Sequence, residues 1–116
     1  MNKVMRGLAI LVSVAALLSV LCGTAQSAKL SEKVPMRDGV KLARDVYLPE
    51  GDAPWPVVLS RTPYNKNGFG GASRAIVKKG YVLVAQDIRG RFASEGEDWP
   101  VFGHGGWEEH RDGYDT

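Results

Sequence analysis

Residues 56–88 read PVVLSRTPYNKNGFGGASRAIVKKGYVLVAQDI, and this stretch decides the fold. Residues 56–60 form a short, continuous apolar run, which is typical of a strand covered on both faces. Residues 73–80 begin with a serine and carry two lysines before a glycine, a composition that predicts a helix ending at Gly80. Residues 81–88 form a second, longer apolar run. The stretch therefore predicts a strand, a helix and a parallel strand, joined by a right-handed crossover.

A hairpin precedes this unit. Residues 33–36 (KVPM) and residues 40–49 (VKLARDVYLP) flank an Asp-Gly pair, which is a strong signal for a tight turn. The second run places apolar residues at even-numbered positions and is interrupted mildly at residues 43–45. Residues 49–56 are a loop by composition. An antiparallel hairpin that leads into a strand-helix-strand unit predicts an α/β fold with a mixed sheet, doubly wound and parallel in its core.

The remaining residues continue this pattern without completing it. Residues 89–106 are polar and rich in glycine, and residues 107–116 have the composition of the start of a helix. No strand follows that helix, so residues 29–116 are interpreted as part of a larger domain that stops inside a crossover. In the α/β-hydrolase plan, a hairpin of this kind opens the sheet, and the nucleophile elbow belongs after the next strand. The sequence therefore predicts the N-terminal part of an α/β-hydrolase fold, truncated before the nucleophile elbow.

Residues 1–28 have the three-part plan of a secretory signal peptide. Lys3 and Arg6 form a basic start, residues 8–21 are an apolar run, and small residues follow. The apolar run is shorter than the roughly 20 residues that a membrane-spanning helix needs, so a cleaved signal peptide is favoured over a membrane span. The small residues predict cleavage near Ala25 to Ala28. The sequence therefore predicts a secreted or periplasmic protein with no membrane segment after cleavage.

Cysteine content and charge argue against several classes of function. The single cysteine, Cys22, lies within the predicted leader, so residues 29–116 have no thiol for a disulfide or a metal site. Removal of Lys3 and Arg6 leaves 13 basic and 13 acidic residues. This balance gives no support for nucleic acid or an anionic membrane as a partner.

The loop after the third predicted strand holds the candidate catalytic side chain. Tyr64 directly follows Pro63, whose fixed φ removes one degree of freedom beside the tyrosine. Glycines at 68, 70 and 71 would let the backbone pass close to a ligand. In the α/β-hydrolase plan this loop supplies part of the oxyanion hole, where a phenolic hydroxyl could donate to the developing charge. From spacing alone, a half-buried loop aromatic with its hydroxyl in water remains an alternative.

Two other patterns are weaker candidates for a functional site. Residues 68–73 are one residue short of a dinucleotide-binding fingerprint, with Asp87 as the ribose partner, but they do not directly follow a strand. No cofactor is therefore predicted. His104, Glu108 and His110 lack the spacing of a zinc site, so no metal is predicted either.

Four short motifs occur in order along the chain. They are MRDGV at 36–40, RTPYNK at 61–66, QDIRG followed by SEG at 86–96, and DGYDT at 112–116. In their order and spacing they resemble the cocaine esterase and Xaa-Pro dipeptidyl-peptidase family of serine hydrolases, which includes α-amino-acid ester hydrolases. The resemblance covers essentially all of residues 33–116.

This resemblance implies an α/β-hydrolase fold and hydrolysis of esters, amides or short peptides through an acyl-enzyme. It implies that Tyr64, beside Pro63, is an oxyanion-hole donor. Asp87, Arg89 and Gly90 would support the site by anchoring the loop that leaves the fourth strand, although Arg89 could instead lie at the surface. The serine, aspartate and histidine of the family lie later in the chain. The nucleophile, acid and base are therefore expected outside this chain, and residues 29–116 alone are expected to be inactive.

A non-enzymatic alternative also remains open. A small secreted binding module could keep the same sheet without ever having had a catalytic triad. A strand followed by a glycine-flanked serine, encoded beyond Thr116, would separate the enzyme from the module.

Overall fold

The computed structural model describes residues 27–97 and 110–116. The elements are the strands β1 (Lys29–Pro35), β2 (Lys41–Tyr47), β3 (Val57–Thr62) and β4 (Val82–Asp87), a 3₁₀ turn (Lys66–Phe69), and the helices α1 (Gly70–Lys78) and α2 (Asp112–Asp115). The predicted signal peptide, including Cys22, falls on residues 1–26 except for its last two positions, so it lies outside the described residues and stays a prediction. No helix in the described part of the chain is long and apolar enough to span a membrane.

The four strands form one mixed sheet in the order β1-β2-β4-β3. β2 pairs antiparallel with both β1 and β4, whereas β3 pairs parallel with β4. The turn of the hairpin is closed by the Met36 amide, which donates to the Val40 carbonyl at 2.8 Å. Gly39 lies in that turn at φ +85°, a conformation that favours glycine. The predicted hairpin and mixed sheet are both confirmed.

Helix α1 covers one face of the sheet. Its side chains Ile76 and Val77 pack against a small core of Tyr47, Leu83 and Ala85. Tyr47 and Leu83 are register partners across β2 and β4, so they point to the same face. The core of the described residues therefore lies between α1 and the two central strands.

The other face of the sheet is covered by residues 112–116. The Thr116 hydroxyl donates to Gln86 Oε1 at 3.0 Å, and Arg44 Nη1 donates to the Thr116 carbonyl at 3.3 Å. Arg44 and Gln86 are register partners, one position away from the pairs that face α1. Because α1 covers one face of the sheet and residues 112–116 cover the other, the arrangement is doubly wound, as predicted.

Burial along β2 differs from the predicted alternation. The even-numbered apolar positions were expected to mark the packed face, but Ala43, Asp45 and Tyr47 are buried as well. The physical reason is that α1 packs on the odd-numbered face of the strand, so both faces of β2 are covered.

Strand β3 is less buried than its apolar run predicts. It was expected to be covered on both faces, yet Val57 is 61% exposed and Leu59 is 45% exposed. β3 forms the edge of the sheet within the described residues, and the residues that pack on α1 belong to β2 and β4. The position of β3 along the chain was therefore predicted correctly, but its burial on both faces was not.

The helices begin at different residues from those expected. α1 starts at Gly70 instead of Ser73, because the 3₁₀ turn runs directly into it. Ser73 lies inside the helix, where its hydroxyl donates to the Gly70 carbonyl at 2.9 Å. α2 begins only at Asp112; of the helix predicted over 107–116, residues 107–109 lie outside the described residues.

Candidate active site

Tyr64 stands two residues beyond the carboxyl end of β3. Its amide donates to the Thr62 hydroxyl at 3.0 Å, which forms a tight local turn around Pro63. Within the described part of the chain the Tyr64 side chain is 77% exposed, so it is more exposed than the alternative interpretation expects, and that interpretation is not excluded by it. Tyr64 thus lies at the edge of the sheet where the parallel strands β3 and β4 end, which is where open α/β sheets bind ligands.

The glycines after Tyr64 do not form a dinucleotide-binding turn. Gly68 lies in the 3₁₀ turn, and Gly70 and Gly71 are the first residues of α1. A side-chain carbon built on any of these three glycines meets no atom within 4 Å. The backbone there is open, and the tight turn directly off a strand that the fingerprint requires is not present.

Asp87 holds two loops at one point. One carboxylate oxygen accepts the Lys66 amide at 2.7 Å, and the other accepts the Ala93 amide at 3.3 Å. The Asp87 carbonyl accepts the Ser94 hydroxyl at 2.6 Å. Asp87 is fully buried at the end of β4. It therefore fixes the loop after β3, which carries Tyr64, against the loop after β4.

Arg89 is buried and binds two carboxylates. Its Nε and Nη2 donate to the two oxygens of Asp112 at 2.9 and 2.7 Å, and its Nη1 donates to Asp38 at 2.7 Å. The surface position considered for Arg89 is therefore wrong. The hydrogen bonds to Asp112 and Asp38 raise the pKa of Arg89 above its ordinary value, and the hydrogen bonds from Arg89 lower the pKa of Asp38.

Two glycines shape the turn around Arg89. Gly90 lies at φ +71°, and its amide donates to the Glu95 carbonyl at 2.9 Å, which closes the loop. Gly96 lies at φ +96°, and a side-chain carbon built there would be 2.7 Å from Cγ of Arg89. Only glycine leaves room for the Arg89 side chain to pass at this point.

The candidate metal ligands do not form a cluster in the described residues. His104 and Glu108 lie outside the described residues, and Nδ1 of His110 is 3.4 Å from a carboxylate oxygen of Asp38. Among residues 27–97 and 110–116, no three His, Cys, Asp or Glu side chains are arranged to hold a metal ion.

Comparison with known proteins accounts for the four motifs. The family model for X-Pro dipeptidyl-peptidases of the S15 family matches residues 38–116. The chain belongs to the S15 family. The resemblance found in the sequence is confirmed.

Individual relatives of this S15 chain are much longer than the chain itself. It is 51% identical over 73 residues to the cocaine esterase of Rhodococcus sp. (strain MB1 Bresler), covering 58% of this chain and 13% of the esterase. An aminopeptidase structure from a marine sediment archaeon, Thaumarchaeota archaeon, superposes with a TM-score of 0.56 at 32% identity, covering 63% of this chain and 14% of that one. An α-amino acid ester hydrolase structure gives a TM-score of 0.54 at 34% identity, covering 72% of this chain and 16% of the hydrolase. These structures confirm the predicted α/β-hydrolase fold.

One buried carboxylate, that of Asp45, was not predicted from the sequence. Asp45, in the middle of β2, is fully buried and accepts hydrogen bonds from the Ser31 hydroxyl at 2.7 Å and from Lys66 Nζ at 3.0 Å. Lys29 Nζ lies 3.0 Å from its second oxygen. Burial raises the pKa of Asp45, but hydrogen bonds from Ser31, Lys66 and Lys29 outweigh it and lower that pKa overall. The available signal was the charged residue that interrupts the alternation at 43–45.

Proposed function

We propose that this chain is the N-terminal segment of a secreted serine hydrolase that cleaves esters or amides through an acyl-enzyme. Membership of the S15 family supports this proposal, as does the likeness to cocaine esterase. The observation that carries it is the position of Tyr64, directly beyond the carboxyl end of β3, in a loop fastened to Asp87 at the end of β4.

In the proposed reaction, Tyr64 donates its phenolic hydrogen to the substrate oxygen. A serine attacks the carbonyl carbon, the oxygen gains negative charge, and a histidine takes the proton of the serine. A donor aimed at that oxygen stabilises the transition state by about 2.7–4 kcal/mol. The serine and histidine come from residues beyond Thr116.

Pro63, Asp87, Arg89 and Gly90 support the site without touching the substrate. Pro63 and the Thr62–Tyr64 hydrogen bond limit the directions open to the tyrosine. Asp87 fixes the loop that carries Tyr64 against the loop after β4, and Arg89 fixes that second loop through Asp112 and Asp38.

The substrates in this proposal are small esters, amides or short peptides, with no cofactor, metal or nucleic acid. Cleavage of the leader near Ala25 to Ala28 delivers the protein to the periplasm or the medium without a membrane anchor. Residues 29–116 alone carry the oxyanion donor but no nucleophile, so we expect them to have no hydrolase activity.

The test uses the protein that continues this segment through its serine. We expect it to hydrolyse p-nitrophenyl esters or aminoacyl amides and to be labelled by a fluorophosphonate, whereas residues 29–116 alone do neither. Ester turnover by residues 29–116 that persists after fluorophosphonate treatment would contradict the proposal. A well-folded product with no labelled serine in either form would favour the alternative, a small secreted binding module.

A further inference from the structure

Within the described residues, Tyr64 is held by its backbone and not by packing of its side chain. The side chain is 77% exposed, and the Thr62 contact holds only its amide. An oxyanion donor must be aimed within a fraction of an ångström to be effective, and in the described part of the chain the neighbouring backbone is what can fix its direction.

Lys66, two residues later, is held at two points on the sheet. Its amide donates to Asp87 at 2.7 Å, and its ammonium group donates to Asp45 at 3.0 Å. These two carboxylates are fully buried and belong to different strands, β4 and β2. Lys66 thus joins the loop after β3 to the two central strands, through a backbone group and a side-chain group at once.

Asn65 connects this clamp to Tyr64 in a strained conformation. Its backbone lies at φ 85° and ψ 116°, in the left-handed half of the map that a residue with a side chain rarely occupies. Such a conformation persists only when the surrounding structure holds it. The Asn65 side chain accepts the Asn67 amide at 3.0 Å, and Lys66 provides the connection to the sheet.

We propose that Lys66 is a positioning residue for Tyr64: by binding Asp45 and Asp87 it holds the strained Asn65 and so directs the tyrosine hydroxyl at the substrate oxygen. This inference rests on the proposed function of Tyr64. It assigns to the buried Asp45–Lys66 ion pair a role in the geometry of the site, in addition to its role in the fold.

Substitution of Lys66 by methionine tests the proposal in the complete enzyme. Lys66→Met keeps the backbone amide and most of the side-chain length but removes the ammonium group. We expect kcat for ester hydrolysis to fall by about 10- to 100-fold with little change in KM, since a small displacement of a catalytic group can cost about 100-fold. Lys66→Arg, which keeps a cation facing Asp45, should restore most of kcat.

Lys29→Met is the matched control. Lys29 also pairs with Asp45, at 3.0 Å, but it lies on β1 and has no connection to the Tyr64 loop. If the loss of kcat came only from weakening the surroundings of Asp45, the two substitutions would act alike. An equal loss in Lys29→Met would therefore overturn the proposal.

A double-mutant cycle with Tyr64→Phe identifies the path of the effect. If Lys66 acts through Tyr64, Lys66→Met should lower kcat by less than about threefold once the hydroxyl has been removed, because the effects of groups coupled through the backbone are not additive. The same loss in both backgrounds, or no loss in either, would contradict the proposal. If Lys66→Met does not fold, Asp45→Asn replaces it in the cycle, judged by the same criterion.

The cycle also separates this proposal from the one it rests on. If Tyr64→Phe alone leaves kcat unchanged, the oxyanion role of Tyr64 is wrong and the positioning role is wrong with it. If Tyr64→Phe lowers kcat but Lys66→Met does not, only the positioning role is wrong.

Discussion

Arg89 and Asp112 form a two-pronged ion pair, with Nε to Oδ2 at 2.9 Å and Nη2 to Oδ1 at 2.7 Å. Both side chains are buried. Asp38, in the hairpin turn, binds the same guanidinium from another side. A single arginine thus joins three of the four motifs, which are far apart along the chain: the hairpin turn, the end of β4 and the start of α2.

Loss of the Arg89 guanidinium should destabilise the fold strongly. Arg89→Met leaves the buried carboxylate of Asp112 with only Arg61, 3.9 Å away, as a cationic neighbour, and breaking a buried pair in this way costs about 3–5 kcal/mol. Arg89→Lys should restore only part of the loss, because a lysine cannot form the fork. The free energy of unfolding from urea titration gives the measurement. Lys33→Met, which removes a pair with Glu95 in which both side chains are 48% exposed, is the control and should change stability little.

Alanine at two glycine positions should have opposite effects on stability. Gly96→Ala places a carbon 2.7 Å from Cγ of Arg89 and at φ +96°, so it should lower the free energy of unfolding by more than about 1 kcal/mol. Gly71→Ala lies within α1 with open space around it and should raise that free energy by about 0.5–1 kcal/mol. Thermal denaturation of both variants provides the test; equal effects would show that the Arg89 turn has room for a side chain.

The pH dependence of stability should report the buried Asp45. Its pKa is lowered in the folded state, so the carboxylate binds a proton less readily there than in the unfolded chain. The stabilisation is therefore complete above the ordinary carboxyl pKa and is lost as the pH falls from that value towards the folded-state pKa. Asp45→Asn should be less stable than the parent at pH 7, and the difference should shrink as the pH falls below about 4, the ordinary carboxyl pKa.

Removal of one hydroxyl tests the role of Tyr64. In the complete enzyme, Tyr64→Phe should lower kcat by about 10²–10³, because one oxyanion-hole donor is lost while the ring remains. The melting temperature should change little, since the ring and the hydrogen bond from the Tyr64 amide to Thr62 are kept. Kinetics equal to those of the parent would remove Tyr64 from the mechanism.

Local patterns predicted the elements well because each depends on short-range chemistry. The Asp-Gly turn at Gly39, the helix stop at Gly80 and the apolar run of β4 all lie where the sequence places them. The burial of each strand by neighbouring elements depends on tertiary structure, and it was predicted less well. The apolar run of β3 does not reveal whether neighbouring elements cover the strand, and the start of α1 depends on a 3₁₀ turn without a sequence signature.

The site was predictable where the side chain itself carries the chemistry. The role of Tyr64 was predicted from the family resemblance together with its place after β3, and those of Asp87 and Arg89 from their motif; the structure places Tyr64 just beyond β3 and buries Asp87 and Arg89. Lys66 and Asp45 were not found, because they act through a contact between β2 and a loop 21 residues later, and a register is needed to bring such residues together. The interruption at 43–45 indicated that something polar was buried there but not which partner it had.

The strand order β1-β2-β4-β3 also has a consequence for the order of events during synthesis. A ribosome delivers β3 before β4, yet among the described strands β4 is the neighbour with which β3 pairs. The apolar segment Val57–Leu59 therefore stays exposed and unpaired until residues 82–87 have been synthesised and have paired with β2. During that interval it is an open template for foreign strands, and the nascent chain is most exposed to aggregation before β4 arrives.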